Sequence, residues 1–436
     1  MTLTYGDAVA ALTERGRFGI SLGLERVERL MDDVGHPEHG LRGALVGGTN
    51  GKGSVVAMTQ SVLTSAGLRV GSMPKPHLVS YRERITIDGQ PLDTVSFAAA
   101  VERVLPAVDR VALGVGPPTE FEALTAAAIA ELARQRVDIA VVEVGLGGRL
   151  DATNVLDLGV AAITNVQHDH EAILGSTLAA IGAEKAPIIK RGDVAVTGAS
   201  GRGLRPIVDR CATLGVPLLR AGPRQPYRAE LRDTGWDGIV VDARTPSRRL
   251  DGLAVGLLGA HQARNASVAV ALIDALAQRW GITVDEATLR RGLRSARWPG
   301  RMEVLDGSSV GLGRVVLDGA HNPAGAAALA RALEDLGVRR PTIVFGAMRT
   351  KRVGPVLRAL APLGPRFVFT RVDDPGAHDP GTLARRWRRL SGEPSRTAPD
   401  PARALAMADG EPVVVAGSLY LVGAVRGMLT GTGEEG

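Results

Sequence analysis

Gly48-Thr49-Asn50-Gly51-Lys52-Gly53-Ser54 sets glycines, a lysine and hydroxyls between a short apolar run and an apolar-periodic stretch. Backbone N–H groups freed by such glycines, added to the positive end of a following helix, form a cradle for phosphate oxygens. Lys52 in such a loop would sit against the β- and γ-phosphates of a nucleotide. Ser54 falls one residue later than the Ser or Thr of the common G-x-x-x-x-G-K-[ST] pattern, so this loop is a variant. The bland alternative is a glycine-rich strand-to-helix turn. The strand before it and the helix after it favour a nucleotide loop.

Other polar residues fall where apolar runs end. "DIAVVEVGLGGRLDATN" puts Glu143 at the end of a strand, the edge where open α/β sheets bind ligands. A carboxylate there suits Mg2+ beside a phosphate loop, or it forms a surface ion pair. Gly145-Leu146-Gly147 is not a dinucleotide fingerprint, because Leu150 stands at the third glycine's place. "AITNVQHDHEAILG" ends a strand with His168, Asp169 and His170, a set open to metal binding or general-base work. Lys185, in the helical pattern "TLAAIGAEKAPIIK", reads by itself as a solvated helix-face lysine. Asn265, in the first turns of a helix at "LGAHQARNAS", reads by default as a cap or surface residue. Arg301, Asp318 and His321 are ambiguous singly, the last two closing a strand and entering a helix.

The elements that must position these residues follow from the apolar pattern. "GALVGG", "VDIAVVEVG", "VAAITNV" and "DVAVTGA" read as buried strands and "SVVAMTQSVLTSAG" as a helix ended by Gly67. Strands alternating with helices predict a parallel sheet covered on both faces. "YRAELRDTGWDGIVVDA" has a period nearer two and predicts a small β insert. In "RSARWPGRMEVL" the Pro299–Gly300 pair breaks a helical pattern, after which strand–helix alternation restarts. The division expected is an N-terminal α/β domain of phosphate-loop ATPase type over 1–296, with its insert near 220–255. A linker over 297–303 then leads to a smaller Rossmann-like α/β domain over 304–436, ending in a frayed "GTGEEG".

Composition narrows the class. The chain has 436 residues, 45% of them hydrophobic, enough for two or three domains. No apolar run reaches the ~20 residues of a membrane span, and the N-terminus lacks a signal-peptide core. The expectation is a soluble cytoplasmic protein. Cys211 is the only cysteine, which excludes an internal disulfide or cysteine metal cluster and reads as a small buried hydrophobe. Net charge is +6 with dispersed basic residues, while aromatic residues at 3% are too few for base-stacking platforms. Small anionic substrates fit this balance better than nucleic acid.

Taken together, these motifs resemble the folylpolyglutamate synthase and dihydrofolate synthase family of the Mur ligase superfamily. The resemblance runs from "RFGISLGLERVERLMDDVGHPE" through "GTNGKGS", "PHLVSYRERI", "PTEFEALTA", "VEVGLGGRLDATN", "AITNVQHDH" and "IGAEKAPIIK". It continues through "GAHQARNA", "RWPGRMEVL", "LDGAHNPAG" and "VFGAMRTKRV". It implies an ATP-dependent amide ligase in folate metabolism: ATP phosphorylates a carboxylate, and an amine, usually that of L-glutamate, displaces phosphate. Dihydropteroate or a folate is the implied acceptor, and the family tendency is monomeric. The resemblance assigns Gly48, Thr49, Asn50, Gly51, Lys52, Gly53 and Ser54 to the phosphate cradle. It assigns Asn265, Arg301, Asp318 and His321 to ATP contacts around a closing domain cleft. Ser54, Glu143 and His170 are implied Mg2+ ligands, and Lys185 aligns with a lysine whose carbamate would help hold a second metal. Lys52, His170 and Lys185 are the implied catalytic set. Lys75, His77, Arg82, Thr119, Phe121, Asp151 and Ala152 are the implied acceptor side.

Two stretches depart from the pattern. "MPKPHLVSYRERI" puts Pro74 and Lys75 where the family writes Thr or Ser and then a metal-ligating Ser. An ammonium at 75 repels a metal, replaces part of its charge, or pairs with an acyl phosphate or carboxylate. "NVQHDH" adds His168 beside the implied ligand. Drift around a folate enzyme, a paralogue rebuilt for another acid or amine, and a non-catalytic nucleotide-binding protein are therefore the competing readings. Retention of Lys52, Glu143, His170, Arg301 and Asp318 weighs against the last. No N-K-x-D guanine signature is present.

Overall fold

The computed structural model describes residues 3–16, 21–372 and 374–431. Residues 17–20 of the first family motif and the tail 432–436, expected to fray, lie outside the described residues.

Eight strands form the first sheet: β1 (Gly43–Gly47), β2 (Val70–Met73), β3 (Thr86–Ile87), β4 (Gln90–Pro91), β5 (Ile139–Glu143), β6 (Val160–Ile163), β7 (Val194–Thr197) and β8 (Leu218–Arg220). Their order is β4-β3-β2-β5-β1-β6-β7-β8, parallel from β2 to β8 with β3 and β4 antiparallel at one edge. Successive side chains on a strand point to opposite faces, so a strand covered on both faces must be apolar throughout. Leu45, Val142 and Ile163 enter the core made with the helices Thr94–Gly114 and Glu120–Arg134. Their neighbours Val46, Val141 and Ala162 enter a second core with the helices Lys52–Ser65 and His261–Trp280. Each fully buried Val or Leu stabilises the fold by about 1.5–3 kcal/mol.

The helix after β1 starts at Lys52, two residues before the apolar pattern begins, and Gly67 follows it at φ +83°. The insert is a three-stranded antiparallel sheet, β9 (Arg228–Gly235), β10 (Gly238–Arg244) and β11 (Arg249–Val255). Ile239, Val241 and Ala243 alternate inward on β10 and join the second core, the origin of the period near two. Cys211 is buried, and burial pushes its thiol up to about 11, so it stays protonated and unreactive.

The C-terminal sheet comprises β12 (Glu303–Asp306), β13 (Arg314–Asp318), β14 (Thr342–Phe345), β15 (Arg366–Phe369), β16 (Arg396–Thr397) and β17 (Val413–Ala416). Its order is β12-β13-β17-β14-β15-β16, with only β12 antiparallel. Phe345, Phe367, Phe369 and Trp387 pack edge-on and stacked in its core, so the scarce aromatics are spent on packing. Among the described residues no helix is long and apolar enough to cross a membrane.

The first sheet sets the site. The chain leaves β1 for β2 on the far side of β5, and leaves β5 for β6 on the far side of β1. The C-terminal ends of β1, β5 and β6 thus meet where the strand order reverses, the crevice in which such sheets take ligands.

Candidate active site

The loop between β1 and its helix is fixed from below by the segment after β6. Asn50 N–H donates to Asn165 Oδ1 at 3.0 Å, while Thr164 Oγ1 and Asn165 Nδ2 donate to the Asn50 carbonyl at 2.7 and 2.8 Å. Gln167 N–H donates to Thr49 Oγ1 at 3.1 Å, and Asn50 Nδ2 to Gln167 Oε1 at 2.7 Å. Lys52 curls over the loop, its Nζ donating to the carbonyls of Gly48 and Thr49 at 3.2 and 3.3 Å. From the helix His261–Trp280, Asn265 Nδ2 donates to Gln262 Oε1, and Gln262 Nε2 donates to Ser54 Oγ. Trp298 of the linker packs on Gly53, where a Cβ would stand 2.3 Å from the indole.

Gly51 has φ +80°, and a Cβ there would stand 2.3 Å from Asn265 Oδ1. Gly51→Ala therefore both strains the backbone and displaces Asn265. The expected result is roughly tenfold weaker ADP binding by calorimetry, since about 1–2 kcal/mol of left-handed strain bears on the loop. Wild-type affinity in this variant would refute the account.

A cavity of about 400 Å³ opens over the loop. Its walls bring together Thr49 to Ser54, Lys75, Glu143 and Asn265 from the first domain with Arg301, Asp318 and His321 from the linker and second domain. Gly48 lies beneath, its carbonyl receiving Lys52 and Lys185. Glu143 is 6% exposed; burial pushes its carboxyl above the usual range against the pull of Lys52, Lys75 and Arg301. Asp318 is raised for the same reason, opposed by Arg301 and by N–H bonds from Met302 and Ala320, both at 2.9 Å. His321 Nδ1 pairs with the Gly319 carbonyl at 2.8 Å, and burial lowers its pKa. Asn165, Gln167, Gln262, His261 and Trp298 also line this cavity and carry no signal in a single sequence.

His170 and Lys185 stand apart from that wall. His170 is exposed, holds φ 48°, and starts the short helix Glu171–Leu174, with Nε2 3.8 Å from Asp169. His168 pairs outward with Glu171 at 2.8 Å. Lys185 is not a solvated lysine: it is 3% exposed and its Nζ donates to the Gly48 carbonyl at 3.1 Å. Burial, then the charge of Lys52, pushes its ammonium down to about 8. Ser54 and Glu143 offer hard oxygens at the phosphate loop and fit Mg2+. The donor set of His170 and Lys185 does not fit a second ion as placed, because one faces solvent and the other is a hydrogen-bond donor.

The acceptor-side residues fall into two groups. Lys75 and Arg82 line a second cavity of about 610 Å³ between the helix Lys52–Ser65, the segment 74–91 and the linker. His77 packs on Tyr81 with ring centroids 4.2 Å apart and the planes tilted by 39°, and burial with Arg84 holds its imidazole at about 4. Thr119 and Asp151 spend their side chains on local turns. Thr119 caps the helix Glu120–Arg134 through Glu122, and Asp151 accepts from Leu146 and Thr153. Ala152 is buried. Phe121 faces Lys75, whose Nζ lies 3.6 Å from the ring centroid.

A phosphate loop facing a linker arginine and a second α/β domain is the arrangement of a Mur ligase. The Mur ligase middle domain matches residues 46–273, and the Mur ligase glutamate ligase domain matches 300–419. The chain belongs to the folylpolyglutamate synthase/dihydrofolate synthase family of that superfamily. It is 32% identical to the dihydrofolate synthase/folylpolyglutamate synthase of Bacillus subtilis, over 98% of this chain and 99% of that one. It is 36% identical over 97% of its length to a Haloferax volcanii protein named "Probable bifunctional folylpolyglutamate synthase/dihydropteroate synthase". The chain spans about half the length of that relative, 50%. The Mycobacterium tuberculosis folylpolyglutamate synthase, solved with ADP and AMPPCP, superposes with a TM-score of 0.85 at 32% identity, covering 97% of this chain and 99% of that one.

Proposed function

We propose that this chain is an ATP-dependent amide ligase that joins L-glutamate to dihydropteroate or a folate. The observation that carries the reading is the placement of Glu143 among Lys52, Lys75 and Arg301 beside a loop built for phosphate. Carboxylates do not acylate amines unaided, so a carboxylate oxygen of the acceptor bonds to the γ-phosphorus as the bond to the β–γ bridging oxygen breaks. ADP leaves with that electron pair. The neutral amine then bonds to the acyl carbon, inorganic phosphate departs, and the amine's surplus proton goes with it.

Lys52, Arg301 and the loop N–H groups hold the phosphates and stabilise charge on the group in transfer. Bound Mg2+ on Ser54 and Glu143 would supply further neutralisation of the phosphates. A second ion on His170 and a carbamylated Lys185 belongs to the reading only if both side chains move. Asp318 and His321, coming from the second domain, close the cavity and keep water from the acyl phosphate. A cytoplasmic monomer completes the reading. Lys75 favours a second one, in which the acceptor is a non-folate carboxylate.

The test is ADP release by the purified protein with Mg2+, ATP and L-glutamate, supplying dihydropteroate and tetrahydrofolate separately, with mass spectrometry of the products. One added glutamyl residue on either is the expected result. ATP binding without acceptor-dependent ADP release would overturn it.

A further inference from the structure

Two cavities meet beside the phosphate loop, and among the described residues only Lys75, Trp298 and Arg301 line both. Whatever passes from one cavity to the other passes these three. Lys75 is the least explained of them. Its Nζ is closed to solvent and has no hydrogen-bond partner. It rests 3.6 Å from the Phe121 ring centroid, a contact that steadies a cation but fills none of its three donors. Asp151 and Glu143 attract it from nearby. Yet Asp151 already accepts from Leu146 and Thr153, and Glu143 is shared with Lys52 and Arg301. An ammonium left desolvated and unfilled is costly unless a ligand completes it. That ligand is an anion, since Lys52 and Arg301 already make the junction positive.

On the ligase reading, one anion must lie across the junction: the acceptor carboxylate as it takes the γ-phosphoryl group. We propose that Lys75 is an acceptor-binding residue whose ammonium holds that carboxylate and then the acyl phosphate, opposite Arg301. Lys75 forms no covalent bond and transfers no proton. It binds and orients the two oxygens between which phosphorus passes. It also places a positive charge beside Glu143, at a position the family resemblance gives to a metal-ligating serine.

Lys75→Met keeps the length and apolar stem and removes the charge; Lys75→Arg restores the charge. The first measurement is calorimetry of AMPPCP-loaded protein with dihydropteroate or tetrahydrofolate and with the corresponding carboxamides. Wild type should prefer carboxylate by about tenfold or more, Lys75→Met by less than about threefold, with Lys75→Arg between. The second measurement is trapping of ADP with fluoroaluminate, an anion that mimics the phosphoryl group in transfer and needs no acceptor. Lys75→Met should weaken it about tenfold while ADP alone binds within about threefold of wild type. Wild-type fluoroaluminate affinity in Lys75→Met overturns the proposal. If wild type binds neither acceptor, the folate reading falls, and the fluoroaluminate result alone decides the role of Lys75.

Discussion

Lys52→Met is expected to lower acceptor-dependent ADP release by about 10²–10³-fold, the loss typical of one preorganised group aimed at developing charge. Lys52 opens the helix after β1, and its ammonium folds back onto the Gly48 and Thr49 carbonyls at the mouth of the loop. A nucleotide's phosphates arriving there meet a positive group already held in place, so little reorganisation accompanies transfer. Stability should change little. Burial chiefly, with the charge of Lys52 adding to it, depresses both Lys75 and Lys185. Removing that charge relieves the repulsion but gives up the attraction to buried Glu143, so the unliganded variant should melt close to the wild-type temperature. Steady-state ADP release and a thermal melt check both halves. A rate within tenfold of wild type would remove Lys52 from the mechanism.

Residues of this kind were legible because their signals are local. The phosphate loop is a run of seven residues, Glu143 ends an apolar strand, and Pro299–Gly300 interrupts a helical pattern. Sheet strands were legible for the same reason, because both faces of β1, β5 and β6 are covered and every position before the terminal Glu143 of β5 is apolar or glycine. β12 and β16 were not: one is an antiparallel edge and the other two residues long, so neither needs an apolar run. The contacts that shape the site are long-range. Trp298 on Gly53, Gln262 on Ser54 and Asn165 on Asn50 join residues that no periodicity relates. Lys185 illustrates the limit most directly. Its helical pattern reads as a solvated face, but Glu184 and Lys185 backbone atoms pack closely on Gly148, and the ammonium lies inward on the Gly48 carbonyl. Only the packed chain decides that.

Asp318→Ala should lower stability by about 2–4 kcal/mol and ADP release by about 100-fold together, because one carboxylate performs both tasks. Asp318 ends β13, and its two oxygens accept the N–H groups of Met302 and Ala320. Those two residues are 2% and 6% exposed, so water cannot readily replace the lost acceptor. Unsatisfied buried donors cost about 1–3 kcal/mol each. Met302 also holds φ 47°, a left-handed conformation costly for a side chain and maintained by that bond. Arg301, one residue earlier, packs its guanidinium against Gly319, so releasing Met302 releases the arginine that reaches both cavities. Asp318→Asn keeps the shape but turns one acceptor into a donor facing an N–H, so it should fall between alanine and wild type. Thermal melts give the first effect and ATP-concentration series the second. Loss of activity with unchanged stability would mean that the carboxylate touches nucleotide without holding the linker. Loss of stability with unchanged activity would mean that the linker's conformation does not matter to transfer. Only the joint loss, graded through asparagine, supports a linker whose order and whose chemistry depend on the same two oxygens.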